Sequence, residues 1–254
     1  MCYIYSMDTR IRVNIEDYIA LYERGLLLNQ IKSLKNQTYQ IFKASGLDIR
    51  IVHRSKVYDN SLAYQKIKYF IQDNEYFYMI PVTTIKETIV GFILRGVLRS
   101  DYSTVSREFK DNLKRVPLMF GFNKKFLKFE DYKQCPPIVL CEGSKDCIFM
   151  SQFYPYVLAI NTSSMGLNAQ VLINLTNKFV LAYDNDKAGQ EGIERDKKIL
   201  RSLGAQVVNL ELDTSLDKEG NFLIKDVSDY IKYLNKIPKL KEELFYKLKR
   251  VSSF

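Results

Sequence analysis

The sequence predicts three consecutive parts. They are an α+β N-terminal subdomain over residues 1–134, an α/β domain with a parallel sheet flanked by helices over 135–212, and a short C-terminal helical segment over 213–254. Three observations carry that prediction. Apolar runs of strand length alternate with helix-like stretches from residue 138 to 210, the pattern of a sheet covered on both faces. Residues 47–100 are instead dense in Ile, Val, Tyr and Phe, as antiparallel strands are. Between the two patterns stands Gln134-Cys135-Pro136-Pro137, where two prolines interrupt regular structure.

Each element follows from its own segment. Residues 11–45 place apolar side chains at three- and four-residue spacing and end at Gly46, which predicts helix. LDIRIVHRSKVY, EYFYMIPVT and TIVGFILRGVL read as strands, and 101–134 as loop with a short helix around VPLMFGF. IVLCEG is strand then turn, SKDCIFMSQF helix, VLAINTS strand, and GLNAQVLINLTN helix. KFVLAYDND is a third strand ending in acids. KAGQEGIERDKKILRSLG is a helix stopped by Gly204, and AQVVNLEL a fourth strand. An acidic turn after 213 leads to two terminal helices, KDVSDYIKYLNKI and PKLKEELFYKLKR.

Composition narrows the chemistry. The 254 residues are 46% hydrophobic and 26% charged, as in globular proteins, and no uninterrupted apolar stretch is long enough to span a bilayer. The N-terminus lacks a secretory pattern, so a cytoplasmic location is expected. Four cysteines without a CxxC pair, beside the single His53, point away from a zinc site and a disulfide framework. Cys141 and Cys147 are expected as packing residues. Catalysis would fall to carboxylates, lysines, arginines and tyrosines. Residues 86–128 carry ten basic and four acidic side chains, a local excess of six within a net charge of +9, so a polyanionic partner is expected there.

The acids sit where such a protein would do chemistry. Glu142 follows the strand IVLC directly, and Asp146 falls in the first turn of the next helix. Asp184 and Asp186 end the strand KFVLAY before Lys187-Ala188-Gly189. Ligands of open α/β sheets gather at the carboxyl ends of the strands, so Glu142, Asp184 and Asp186 would ring one crevice, with Asn185 turned away. Clustered carboxylates repel unless cations hold them, and oxygen-only ligands favour Mg²⁺ or Mn²⁺. Gly143 and Gly189 would let backbone approach a ligand closely. Strand-end acids also serve as helix caps, the competing explanation for either motif alone.

Glu142-Gly143-Ser144-Lys145-Asp146 and Asp184-Asn185-Asp186-Lys187-Ala188-Gly189 resemble the two signatures of TOPRIM domains, EGxxD and DxDxAG. The form with Ala-Gly after the acids resembles the branch found in bacterial and phage DNA primases. Ile80-Pro81-Val82 with Gly91-Phe92-Ile93-Leu94-Arg95, the stretch Leu118–Phe122, and Lys225-Asp226-Val227-Ser228-Asp229-Tyr230-Ile231 are also similar to primase segments. The resemblance spans about 76–232. Asn161-Thr162 departs from the family's usual Gly-Thr, and neither a zinc-binding nor a helicase domain is found in the chain.

The resemblance implies a DNA primase catalytic core, a nucleotidyltransferase making RNA primers from ribonucleoside triphosphates on single-stranded DNA. Glu142, Asp184 and Asp186 would be catalytic and bind Mg²⁺ or Mn²⁺, with Asp146 a further ligand or a residue orienting Glu142. Arg95 and Lys114 or Arg115 would hold nucleotide or template phosphate. A replicative helicase or a separate zinc-binding initiation protein would be the partner, the basic amphipathic stretch 239–250 being one docking candidate. A compact primase of this kind would suit a phage or a mobile element. Two other readings stay open: a TOPRIM metal-dependent nuclease, and a non-catalytic DNA-binding replisome adaptor.

Overall fold

The protein is represented by a computed structural model, which describes residues 26–27, 62–72, 75–84, 88–96, 103–105, 119–122, 126, 135–161, 165–166, 168–210 and 224–236. In chain order these form β1 (Leu26–Leu27), α1 (Leu62–Gln65), β2 (Lys68–Gln72), β3 (Glu75–Thr83), β4 (Ile89–Gly96) and β5 (Ser103–Val105). Then come β6 (Ile138–Cys141), α2 (Ser144–Met150), β7 (Val157–Ala159), α3 (Asn168–Leu175), β8 (Lys178–Ala182), α4 (Lys187–Ser202), β9 (Gln206–Asn209) and α5 (Val227–Lys236).

The first sheet is antiparallel in the order β1-β2-β3-β4-β5. The expected strands EYFYMIPVT and TIVGFILRGVL are its two longest members. Three expectations need correction. Leu26–Leu27 pairs antiparallel with Tyr69 and Lys68 although the periodicity of 11–45 predicts helix; a two-residue apolar run fits either period, and pairing with β2 decides. Residues 103–105 form an edge strand where loop was expected, and Met119 and Phe120 make antiparallel bridges where a short helix around VPLMFGF was expected. Pro81 is tolerated within β3 because it lies beyond the last residue paired with β2, Met79, so β3 has only β4 beside it there among the described residues. The rest of 11–45, His53, the acidic turn after 213 and the final helix at 238–250 lie outside the described residues.

The second sheet is parallel throughout, ordered β7-β6-β8-β9. β6, β7 and β8 are buried on both faces, which is why they read as continuous apolar runs, while β9 at the sheet edge exposes Gln206 and Asn209. Alternate residues face alternate layers. Val139, Cys141, Val180 and Ala182 pack with Ile148 of α2, Tyr230 and Ile231 of α5, and Tyr78, Ile80 and Ile93 of the antiparallel sheet. Leu140, Leu158, Phe179 and Leu181 pack on the other face with Leu172 of α3 and Ile193 and Leu200 of α4. Gly204, at φ 86°, ends α4 as expected.

Residues 119–120 join the two sheets. Met119 bridges to Thr83 at the end of β3, and Phe120 exchanges both backbone hydrogen bonds with Ala159 of β7, at 2.9 and 2.8 Å. That contact covers the outer edge of β7. Phe120 is fully buried and stacks on Tyr64, whose hydroxyl donates to Ser151 Oγ at 3.1 Å. Cys135, Cys141 and Cys147 are buried and reduced, in keeping with a packing role. Among the described residues no helix is long and apolar enough to cross a membrane.

Candidate active site

The order β7-β6-β8-β9 decides where a site can form. From β6 the chain crosses to β7 on one side; from β8 it crosses to β9 on the other. The point between β6 and β8 is therefore the switch at which an open parallel sheet leaves a crevice beyond its carboxyl edge. Glu142 stands immediately after β6, and Asp184 and Asp186 just after β8, on opposite sides of that switch. The three acids do come together.

Each carboxylate is held in its own way. Glu142 is half-buried, and burial followed by the charge of Asp186 raises its pKa, while the Asp184 backbone N–H and the Arg195 charge oppose the rise. Asp184 is pushed up to about 7, first by burial and then by Glu142, Asp226 and Asp186. Asp186 Oδ1 accepts the Gly189 N–H at 2.9 Å and so caps α4, while its Oδ2 lies 3.8 Å from Lys225 Nζ. Asp186 thus both caps a helix and belongs to the acid cluster. Asn185 is turned away, its N–H donating to Lys225 O at 2.7 Å and its Oδ1 accepting from Gln190.

Asp146 lies deeper, 7% exposed, with Oδ1 accepting the Ser228 N–H at 3.0 Å. Burial first, then Asp226 and Asp184, raise its pKa; Lys145 and the Ser228 N–H oppose them. The fifth acid, Asp226, is one that sequence reading left out of the site. It caps α5 through the Asp229 N–H at 2.7 Å, accepts the Ser228 hydroxyl at 2.6 Å, and pairs with Lys145 at 3.6 Å. Its signal was present in Lys225-Asp226-Val227-Ser228-Asp229, but it takes long-range contacts, the Asn185–Lys225 hydrogen bond and the Lys225–Asp186 ion pair among them, to bring that stretch against the β8 end.

Two glycines serve a purpose other than the expected one. A Cβ on Gly189 would overlap the Asp184 carbonyl oxygen and lie 2.8 Å from its carbon. A Cβ on Gly143 would lie 3.2 Å from Asp146 Oδ2. Both make room for the protein's own acids, because the helices start so close to the strand ends. Asn161 takes a left-handed φ of 52°, which glycine adopts freely and asparagine tolerates. Its Oδ1 accepts the Ser144 hydroxyl at 2.6 Å, and its N–H donates to Glu142 O at 2.9 Å.

Arg95 lies on β4 opposite Tyr78, on the sheet face turned to the parallel domain. Tyr78 packs in one cluster with Cys141 and Ala182, the last residues of β6 and β8, so this face of β4 is turned to the strands that carry the acids. Lys114 and Arg115 lie outside the described residues. Among the described residues no three acids, histidines or cysteines converge closely enough to form a finished metal-ligand set. The donor chemistry nevertheless suits a hard divalent cation: oxygen ligands only, Glu142 and Asp186 accessible from solvent, and Glu142 and Asp184 with pKa values lifted first by burial and then by neighbouring carboxylates whose charge a cation would offset.

Residues 139–223 match the Toprim-like family in sequence. No curated protein matches the chain. Among solved structures, the DnaG primase catalytic domain bound to single-stranded DNA superposes with a TM-score of 0.56 at 16% identity, over 93% of this chain and 83% of that one. The Aquifex aeolicus primase, as its zinc-binding and RNA polymerase domains, gives 0.55 at 17%, over 93% of this chain and 66% of that one, just under two thirds of its length. The primase fragment of the bacteriophage T7 primase-helicase protein gives 0.52 at 15%, over 80% and 72%. The chain thus shares the overall fold of these primase catalytic domains, and the Toprim-like stretch falls on its parallel sheet.

Proposed function

We propose that this protein is a DNA primase catalytic core, joining ribonucleotides on a single-stranded DNA template. The observation that carries the reading is an acid crevice at the β6/β8 switch packed beside an antiparallel sheet that carries Arg95 on the face turned to it. The likeness to primase cores over 80–93% of the chain supports synthesis over hydrolysis, since a nuclease would need the acids but not the additional sheet.

Under this reading Glu142, Asp184 and Asp186, with Asp226 beside them and Asp146 behind, hold Mg²⁺ or Mn²⁺. A divalent ion bound there supplies charge neutralisation at the reacting phosphates and acidifies the attacking hydroxyl. The chain's own groups do the rest. The guanidinium of Arg95 suits bidentate contact with a nucleotide or template phosphate, and Lys114 or Arg115 would add to it. Lys145 and Lys225, now paired with Asp226 and Asp186, stand ready to follow phosphate charge when it arrives. Unpaired template bases would stack on aromatic side chains of the basic region. A replicative helicase or a separate zinc-binding initiation protein would complete the system.

The test is synthesis itself: purified protein, single-stranded DNA, four ribonucleotides with one labelled, and Mg²⁺ or Mn²⁺, beside an Asp184→Ala/Asp186→Ala control. Short labelled oligoribonucleotides absent from the control are expected. Template degradation without synthesis would replace the reading with a nuclease. DNA binding unaltered in the control, with neither reaction even after a helicase is added, would replace it with an adaptor.

A further inference from the structure

The acids around the crevice fall into two groups when their protein partners are followed. Ser228, completely buried near the start of α5, stands between Asp146 and Asp226. Its N–H donates to Asp146 Oδ1 at 3.0 Å and its hydroxyl to Asp226 Oδ1 at 2.6 Å. The Asp229 N–H reaches the same Asp226 oxygen at 2.7 Å. The other oxygen, Oδ2, lies 3.6 Å from Lys145 Nζ. Both oxygens of Asp226 thus face donors of the protein itself. This inner pair adjoins the crevice through the residue before it: Lys225 O accepts the Asn185 N–H at 2.7 Å, and Lys225 Nζ lies 3.8 Å from Asp186 Oδ2.

The two lysine pairs are not equivalent. The side chains of Lys145 and Asp226 are 29% and 18% exposed, against 61% and 42% for Lys225 and Asp186. Water and salt screen the second pair more, so Lys145 is the lysine held firmly in place. It is also placed against local preference. Lys145 falls in the first turn of α2, the helix end at which a positive charge is disfavoured, so the acids facing it are what hold it there. A divalent cation needs several oxygens free to turn towards it. Between Asp146 and Asp226 it would have to displace the Ser228 and Asp229 donors and stand beside the Lys145 charge.

We propose that Lys145 is a built-in counter-ion at the Asp146–Asp226 end of the cluster, in the place a second divalent cation would take. The free protein then binds a single divalent cation, at the Glu142, Asp184 and Asp186 end. The inference rests on the metal-binding part of the primer-synthesis reading and fixes how many ions that site takes. Being covalently attached, Lys145 neutralises the inner acids whether or not a cation is present, and an arriving phosphate shares its charge instead of displacing it. A cation that travels with a nucleoside triphosphate is additional to this count.

The count is made on the full metal-free chain, without nucleotide, by titrating Mn²⁺ and reading the free ion by electron paramagnetic resonance. Wild type is expected to bind one ion. Lys145→Met roughly keeps the length of the side chain and removes its charge. It is expected to bind a second ion, at a concentration at least about tenfold below that at which wild type shows any. Lys145→Arg keeps the charge and binds one. Lys145→Met/Asp226→Asn also removes the acid that the second ion would use, and binds one. Lys198→Met removes an exposed charge from α4 and stays at one, which separates a local exchange from a change in net charge. Thermal unfolding reads the same ions, because each one bound to the folded state adds its own increment of stability. Mn²⁺ should therefore raise the Tm of Lys145→Met more than that of wild type, whereas loss of a merely structural lysine would lower Tm and leave the count at one. Should Lys145→Met not fold, Lys145→Gln replaces it with the same expectation.

A wild type that binds two ions, or a folded Lys145→Met or Lys145→Gln that still binds one, overturns the inference and leaves the primer reading standing. So does a second ion in Lys145→Arg or Lys198→Met. A second ion that persists in the double variant overturns the role of Asp226. A wild type that binds no Mn²⁺ overturns this inference and the metal-binding reading together. One that binds a single ion as expected yet makes no oligoribonucleotide overturns the primer reading alone.

Discussion

Replacing Gly189 by alanine tests how tightly α4 is set against the acid cluster. The added Cβ would overlap the Asp184 carbonyl oxygen and stand 2.8 Å from its carbon and 3.1 Å from its nitrogen. Carbon atoms in contact prefer about 3.5–4.0 Å, so the helix start or the Asp184 backbone must move by roughly 1 Å. Overpacking of that kind costs about 1–3 kcal/mol. The same movement strains the cap from Asp186 to the Gly189 N–H, itself worth about 1 kcal/mol. Alanine returns up to about 1 kcal/mol through helix propensity. The matched control is Gly192→Ala, where the new Cβ meets Tyr183 and Arg195 atoms at 3.4–3.6 Å, ordinary contact, and should be neutral or slightly stabilising. The two variants should therefore differ by about 2–4 kcal/mol, a gap of roughly 5–15 °C in Tm for a chain of this size. Thermal unfolding by circular dichroism reads the gap, and primer synthesis should fall about 100-fold in Gly189→Ala because Asp184 is displaced. A Gly189→Ala protein as stable as Gly192→Ala would refute the close approach of α4 to the strand end.

Three more outcomes follow from the same geometry. Asp184→Asn should stabilise the metal-free protein by about 1 kcal/mol once solvent screening is allowed for, yet lose the rise in Tm that Mg²⁺ gives the wild type. Equal Mg²⁺ responses in both would remove Asp184 from the metal set. Asp184 keeps its proton in the fold up to about pH 7 against an ordinary value of 3.8, so the folded state binds more protons than the unfolded one in between. Metal-free stability should accordingly fall as pH rises from about 4 to 7, while Mg²⁺ binding strengthens over the same interval and releases protons, measurable by calorimetry in buffers of different ionisation enthalpy. Phe120→Ala should cost about 3–5 kcal/mol in urea unfolding, because the ring is fully buried against Tyr64 at the seam of the two sheets; a loss under about 1 kcal/mol would mean that the seam does not hold them together.

The parallel sheet was legible because its signal is local. Strands buried on both faces must be apolar throughout, so IVLC, VLA and KFVLA stand out in the sequence, and the acids that follow them are marked by that ending. The antiparallel sheet was legible in its two long strands but not in Leu26–Leu27 or Ser103–Val105, whose short runs fit several conformations until a neighbour pairs with them. Asp226 escaped as a site residue for a similar reason: some forty residues separate it from Asp186, and a carboxylate before a helix looks like a cap, which it also is.

The glycines and Asp196 show the limit most clearly. Gly189 in Asp-Lys-Ala-Gly reads as room for a ligand, and the fold fills that room with the Asp184 backbone. Asp196 reads as one charge among many on an amphipathic helix, and the fold buries it completely. The sequence by itself determined the order of the strands and helices around the acids, their oxygen-only chemistry and the basic character of the first half, since periodicity and side-chain type are properties of neighbouring residues. Only the tertiary structure decided that β6 and β8 lie side by side, that Asp226 joins the crevice, and which charges are buried. Those depend on contacts between residues distant in the chain, whose energy exists only once the sheets, helices and their long-range partners have packed.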